Sequence, residues 1–109
     1  MVARLDEVDK NIRFEIARRF SQKNGYIRYP DKGRIEKEGG QRYKKGQELR
    51  FVAESYNELA ELRGLLRKAG FRVCNPFDKG RRLIQPVYGR NAVERILEWE
   101  KERREQDRD

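Results

Sequence analysis

Three apolar stripes with helical spacing, separated by two glycine-punctuated segments of β character, constrain this chain more than any other feature. Residues 4–21 carry Leu5, Val8, Ile12, Ile16 and Phe20 at intervals of three or four, one face of an amphipathic helix. Asn24-Gly25 offers a left-handed stop directly after it. The span 26–53 then turns β-like. Tyr26-Ile27-Arg28-Tyr29 ends in Pro30-Asp31-Lys32-Gly33, and the return passes Arg34-Ile35-Glu36 and Gly39-Gly40 to reach Glu48-Leu49-Arg50-Phe51-Val52-Ala53. Two long strands or three short ones satisfy that punctuation equally.

The pattern then repeats. Ser55-Tyr56-Asn57-Glu58 has the form of a capping box, Leu59, Leu62, Leu65, Leu66 and Ala69 make the apolar face behind it, and Gly70 closes the helix. Phe71-Arg72-Val73-Cys74 is expected to start a strand, Asp78-Lys79-Gly80 to turn the chain, and Arg82–Tyr88 to return it. Pro86 suggests an edge strand or the end of pairing. Asn91-Ala92-Val93-Glu94 reads as the cap of a third helix, with Val93, Ile96 and Leu97 on its buried side. The expected fold is therefore α+β, in the order αββαββα, an antiparallel sheet with helices packed on one face. Residues 1–97 form the expected domain, and 98–109 a charged helical extension or flexible tail. Trp99 lies just off the apolar stripe and reads as cover for the core edge, or else as an anchor for a second chain.

Composition removes much chemistry. The chain has no histidine, no threonine, two serines (Ser21 and Ser55) and one cysteine, Cys74. A Ser-His-Asp or Cys-His site cannot be assembled, nor a zinc site of Cys and His. An internal disulfide is excluded, and Cys74, with no activating neighbour, reads as a buried structural thiol. No apolar run is long enough to span a membrane, and Met1 to Glu7 shows no secretory leader, so the expected compartment is cytoplasmic. No cofactor, metal site or catalytic residue is expected, and the chain reads as a binder rather than an enzyme.

The charge says what it would bind. The net charge is +8, and it is unevenly spread. Residues 23–50 hold nine cations and four acids, and residues 71–90 five cations and one acid, so these two segments alone carry an excess of nine. Charge kept only for solubility would scatter over the helices as well. Here it gathers on hairpins, interleaved with Tyr26, Tyr29, Tyr43, Gln41, Gln47, Asn75 and Gln85. Such a surface can neutralise phosphates and touch base edges. Arg28, Arg34, Arg42, Lys44, Arg50, Arg72, Arg81 and Arg82 are the expected contacts, and nucleic acid is the expected partner, duplex DNA ahead of RNA.

The element order resembles the half-domain of LAGLIDADG homing endonucleases. Asn24-Gly25, running straight into Tyr26-Ile27-Arg28-Tyr29, falls where that family has its catalytic acid, its glycine and its first strand. Asn57 to Phe71, with Leu59, Leu62, Leu65, Leu66 and Gly70, is similar to the family's middle helix and the strand entry after it. The resemblance covers about residues 5–97. It implies a basic saddle of hairpins over the DNA major groove and a first helix paired with its mate. Two departures modify what it implies. Asn24 replaces the metal-binding carboxylate with a weaker, uncharged ligand. Within Ala17-Arg18-Arg19-Phe20-Ser21-Gln22-Lys23, Arg19 takes the place of the glycine that allows close helix approach. The implied protein is a non-cleaving relative with a different dimer contact. One half-saddle covers little groove, which keeps a homodimer on a two-fold site in view.

Two other functions remain open. An exposed sheet face or edge could serve as a protein-interaction module for an acidic partner. A metal-dependent nuclease would need Glu15, Glu36 or Glu38 as ligands. Glu15 lies on the first helix away from its main stripe, and acids near a helix start, here Asp6 and Asp9, more often complement the helix dipole. Glu36 and Glu38 alternate with Lys37, as cross-strand ion-pairing residues do. The tail spacings Glu98-Glu102 and Lys101-Glu105 suit a solvated helix end, or a phosphate mimic folded over the hairpins.

Overall fold

Each helix begins and ends where side chains or turns can meet its free backbone groups. The computed structural model describes residues 8–29 and 46–107. Its elements run α1 (Lys10–Gln22), β1 (Tyr26–Arg28), β2 (Glu48–Ala53), α2 (Tyr56–Lys68), β3 (Phe77–Lys79), β4 (Arg82–Tyr88) and α3 (Arg90–Asp107). This is the expected α+β order. Helix α1 starts at Lys10 rather than near residue 4, because the Asp9 carboxylate accepts from Asn11 N at 2.8 Å and so acts as its cap. Ser55 caps α2, accepting from Glu58 N at 3.1 Å. The Glu58 carboxylate reaches back to Glu54 N at 3.0 Å, one residue before the amide a capping box would use.

Helices α1 and α2 stop in the same way. Asn24 adopts a φ of 65°, and Gly25 N donates to Phe20 O at 2.8 Å. Gly70 adopts a φ of 87°, and Phe71 N donates to Leu66 O at 3.0 Å while Gly70 N donates to Arg67 O at 3.0 Å. The second is a full Schellman turn, with Phe71 and Leu66 both in the core beside it. Gly25 is fixed by space: a Cβ there would stand 2.5 Å from Phe20 O and 2.7 Å from the Phe20 ring. At α3 the expected Asn91 cap is not the one used. Gly89 precedes the helix, accepts from Val93 N at 3.2 Å and donates to Gln47 O at 2.9 Å, which leaves Asn91 inside the first turn.

The four strands form one sheet in the order β1-β2-β4-β3, all antiparallel. Pairing of β2 with β4 joins the two hairpins. Strand alternation turns Ile27, Leu49, Phe51 and Val87 toward the helices, into a core with Ile16, Phe20, Leu62, Leu66 and Ile96. Phe20 meets Phe51 edge-on at 5.3 Å between centroids, and Phe71 meets Trp99 at 5.5 Å. Trp99 is therefore core. Beyond Leu97, α3 continues to Asp107 and stays against α1, with Arg103 donating to Ser21 and Arg13 to Glu102.

Two strand expectations are corrected, and one side chain explains both. Phe71–Cys74 is irregular, and the strand falls later, at Phe77–Lys79. Pro86 lies in β4, an interior strand, opposite Arg50. The cause is Gln85, fully buried on the helix side. Its amide nitrogen donates to Cys74 O at 2.7 Å and Pro86 O at 3.0 Å. Arg63 of α2 donates to its amide oxygen at 2.6 Å and to Cys74 O at 3.0 Å. Side chains thus take the carbonyl a strand would have used. Strand β3 pairs no further along β4 than Ile84, so it asks no ladder bond of Pro86. Cys74 itself is half-buried rather than buried.

Replacing Gly25 by Ala should destabilise the fold by about 1–3 kcal/mol, the usual range for forced overpacking. Replacing Gln85 by Leu should cost about 1–3 kcal/mol, because buried polar groups lose their partner. Urea titration followed by circular dichroism checks both; a midpoint unchanged from the parent would refute either account.

Candidate nucleic-acid interface

The strand alternation that sends Leu49 and Phe51 to the helices sends a different set to the opposite face. There β1 contributes Tyr26 and Arg28, β2 Glu48, Arg50 and Val52, β4 Arg82, Ile84, Pro86 and Tyr88, and β3 Phe77 and Lys79. Cations and aromatics dominate it, and Glu48 is its only described acid.

The middle of this face is tied together across the sheet. Arg50 donates from Nε and one terminal nitrogen to Glu48 at 3.2 and 3.0 Å, and from the other terminal nitrogen to the Tyr26 hydroxyl at 3.2 Å. Lys79 Nζ donates to the same hydroxyl at 3.3 Å. That last bond joins the two outermost strands over the two central ones. The guanidinium also lies 5.1 Å from the Phe77 ring centroid and 5.8 Å from that of Tyr26, and Lys79 Nζ lies 5.4 Å from the latter. Glu48 is 5% exposed, with Arg28 at 3.7 Å from the oxygen that Arg50 uses. Its second oxygen is buried with no hydrogen-bond partner among the described residues.

These contacts set the protonation states. Burial pushes the Tyr26 phenol up, but the hydrogen bonds from Arg50 and Lys79 outweigh it and hold the group below its usual value. Burial pulls Arg50 down, and its bond to Tyr26 with the charge of Glu48 more than restores it.

The expected contact residues separate into three groups. Arg34, Arg42 and Lys44 lie outside the described residues, as do Tyr43, Gln41, Glu36 and Glu38. Arg50 is brought to the middle of the face, where three of its five N–H donors are taken up by Glu48 and Tyr26. Arg28, Arg81 and Arg82 are exposed, on the face or at the β3–β4 turn. That turn has two central residues, Gly80 and Arg81, since Lys79 pairs directly with Arg82. Only Gly80 has a positive φ, 66°, the pattern of a type II′ hairpin, and it presents Arg81 at the tip. Arg72 is exposed in the 71–76 connection after α2, and no described contact joins it to the sheet face. Sequence reasoning underrated Tyr26, Phe77 and Lys79 as a unit. Their alternation within short strands was visible, but the register that brings them together was not.

Pairing also divides the cations. On the helices, Arg13 meets Glu102, Arg18 and Arg19 meet Glu15, Arg19 also meets Glu61, and Arg103 and Arg104 meet Glu100. Arg72, Lys79, Arg81 and Arg82 make no ion pair with a described carboxylate. Two candidates are thereby re-read. Gln85, which could have read adenine, is locked inside. Glu15, a candidate metal ligand, is held by two arginines, and Arg19 links α1 to α2 through Glu61. Among the described residues, no three His, Cys, Asp or Glu side chains gather as a metal site would need, and no helix is long and apolar enough to cross a membrane.

Comparison with protein families, curated proteins and solved structures finds no match to the chain.

The hydrogen bonds from Arg18 draw the Glu15 carboxyl down to about 2, against burial and with help from Arg19. A lowered pKa in the folded state stabilises the protein fully above the ordinary value of 4.5 and is lost as pH falls toward 2. Thermal melts across that window should fall less steeply for Glu15→Gln than for the parent protein; parallel curves would contradict this assignment.

Proposed function

We propose that the protein binds nucleic acid, duplex DNA ahead of RNA, through the sheet face turned away from its helices, without cleaving it. The observation that carries this reading is the division of the cations. Helix arginines are largely neutralised by neighbouring carboxylates. Lys79, Arg81 and Arg82 stand together at the β3–β4 end of the face with no described acidic partner. Free cations on a rigid hairpin favour phosphate, because displacing condensed counterions from the polymer drives binding. Arg28 at the β1 side adds a contact, whereas Arg72, exposed in the connection after α2, is not joined to this face by any described contact. Exposed Tyr29 and Phe77 offer aromatic surface beside them.

The resemblance to LAGLIDADG half-domains supports the same reading, since it rests on the element order αββαββα. It also favours binding over cleavage. Asn24 is an uncharged residue whose backbone makes the α1 stop, and Glu15 is committed to arginines.

A second reading, a protein-interaction module, is favoured by one feature. Leu97 is 49% exposed beside a groove of about 570 Å³ between α1 and α3, lined by Phe20, Gly25, Ile96 and Lys101 among others. A homodimer seated there would present two basic faces.

Fluorescence anisotropy with a short DNA duplex over a salt series tests the main reading. Affinity should fall steeply with salt, and Arg81→Ala and Arg82→Ala should each lower the log-log slope by about 0.9. No retention of DNA or RNA at low salt would overturn it, and stable co-purification with a protein in that case would favour the second reading.

A further inference from the structure

We propose that the Tyr26 hydroxyl is a preformed phosphate-binding donor at the centre of the sheet face, the point that fixes where a phosphodiester backbone sits. The inference rests on the nucleic-acid reading above and assigns a neutral side chain the positioning role within it.

A phenol oxygen has two lone pairs and one proton. Both acceptor positions are filled, by Arg50 at 3.2 Å and Lys79 at 3.3 Å. The proton has no acceptor among the described residues. It sits between two cations, so the acceptor it suits is an anion. Glu48 does not serve: one oxygen is engaged by Arg50, and the other makes no hydrogen bond to any described group, the Tyr26 hydroxyl included.

The hydroxyl is also held in place. Tyr26 is paired opposite Arg50 in the β1–β2 register, and its ring lies beside both the guanidinium and the Lys79 ammonium. A donor already fixed loses little freedom when it binds, which favours it over a long exposed side chain. The bond from Lys79 is at the exposed side. Lys79 keeps two further N–H donors, so it can join Tyr26 on the same phosphate. Arg82, opposite Lys79 on β4, suits the next one. Arg50 touches no ligand in this arrangement and acts as a positioning residue, holding the phenol oxygen so that its proton faces outward.

The groups facing Tyr26 are Arg50 and Glu48 from β2, Lys79 from β3, Arg82 and Tyr88 from β4, and Arg28 from its own strand. All but Glu48 and Tyr88 are cationic. Their combined field stabilises a phenolate, which would cease to donate and would repel phosphate.

The test is anisotropy titration of the intact protein with a fluorescein-labelled duplex, comparing the parent with Tyr26→Phe. At neutral pH the variant should bind about tenfold more weakly, the effect of losing one hydrogen bond to a charged group. Its salt slope should be unchanged, because a neutral donor releases no counterion, whereas Lys79→Ala should lower the slope. The pH profile separates this role from a structural one. Parent affinity should drop as the phenol ionises below the ordinary tyrosine value of 10.0, and the Tyr26→Phe profile should lack that step. A purely structural tyrosine predicts the reverse, since ionisation would strengthen its hold on Arg50 and Lys79. Binding of the variant within twofold of the parent would overturn the inference while leaving the nucleic-acid reading intact. A parent that binds no nucleic acid would overturn both. If the variant fails to fold, the parent's pH profile decides alone: a step below 10.0 supports the donor, and its absence refutes it.

Discussion

The antiparallel register of β2 against β4 decides what every other part of the molecule can do. Six residue pairs, Glu48 with Tyr88 through Ala53 with Leu83, set two faces at once. A slip of one residue would turn Leu49 and Phe51 away from the helices and bring Glu48 and Arg50 into the core, at prohibitive cost. Hydrophobic burial on one side therefore enforces the cation arrangement on the other. The outer strands add to that decision without making it, since each contributes three residues.

Pairing of charge with charge does the next sorting. A chain with 42% charged residues must place most of them at the surface, where isolated ion pairs contribute little to stability. Their effect here is one of distribution. The helices carry their own counter-charges at spacings of three and four, as at Glu15 with Arg18 and Arg19, or Glu100 with Arg103 and Arg104. The β3–β4 hairpin differs: Lys79, Arg81 and Arg82 outnumber its one acid, Asp78, and make no ion pair with a described carboxylate.

The sequence made the helices legible because their apolar residues recur at a period that belongs to helices alone. Strands β2 and β4 were legible as well, by length and by β-branched and aromatic content. Strand β3 was not. Phe71-Arg72-Val73-Cys74 has better strand character than Phe77-Asp78-Lys79, but Gln85 and Arg63 capture Cys74 O from the far side of the domain. No local pattern reveals a bond between residues eleven and twenty-two positions apart. The same limit applied to the site. Tyr26, Arg50 and Lys79 come from three strands, and each looked like an ordinary alternating residue. Gln85 misled for the complementary reason: a polar residue between apolar neighbours reads as surface, and here it satisfies the interior.

The brevity of the outer strands has a consequence for how copies of the molecule meet. Strands β1 and β3 each span three residues, one ending in Arg28 and the other in Lys79. An edge that short offers too few unpaired amides and carbonyls for a neighbouring chain to extend the sheet, and its cations repel an identical edge. At these two described edges, addition of a second copy strand by strand is disfavoured by the same side chains that carry their charge.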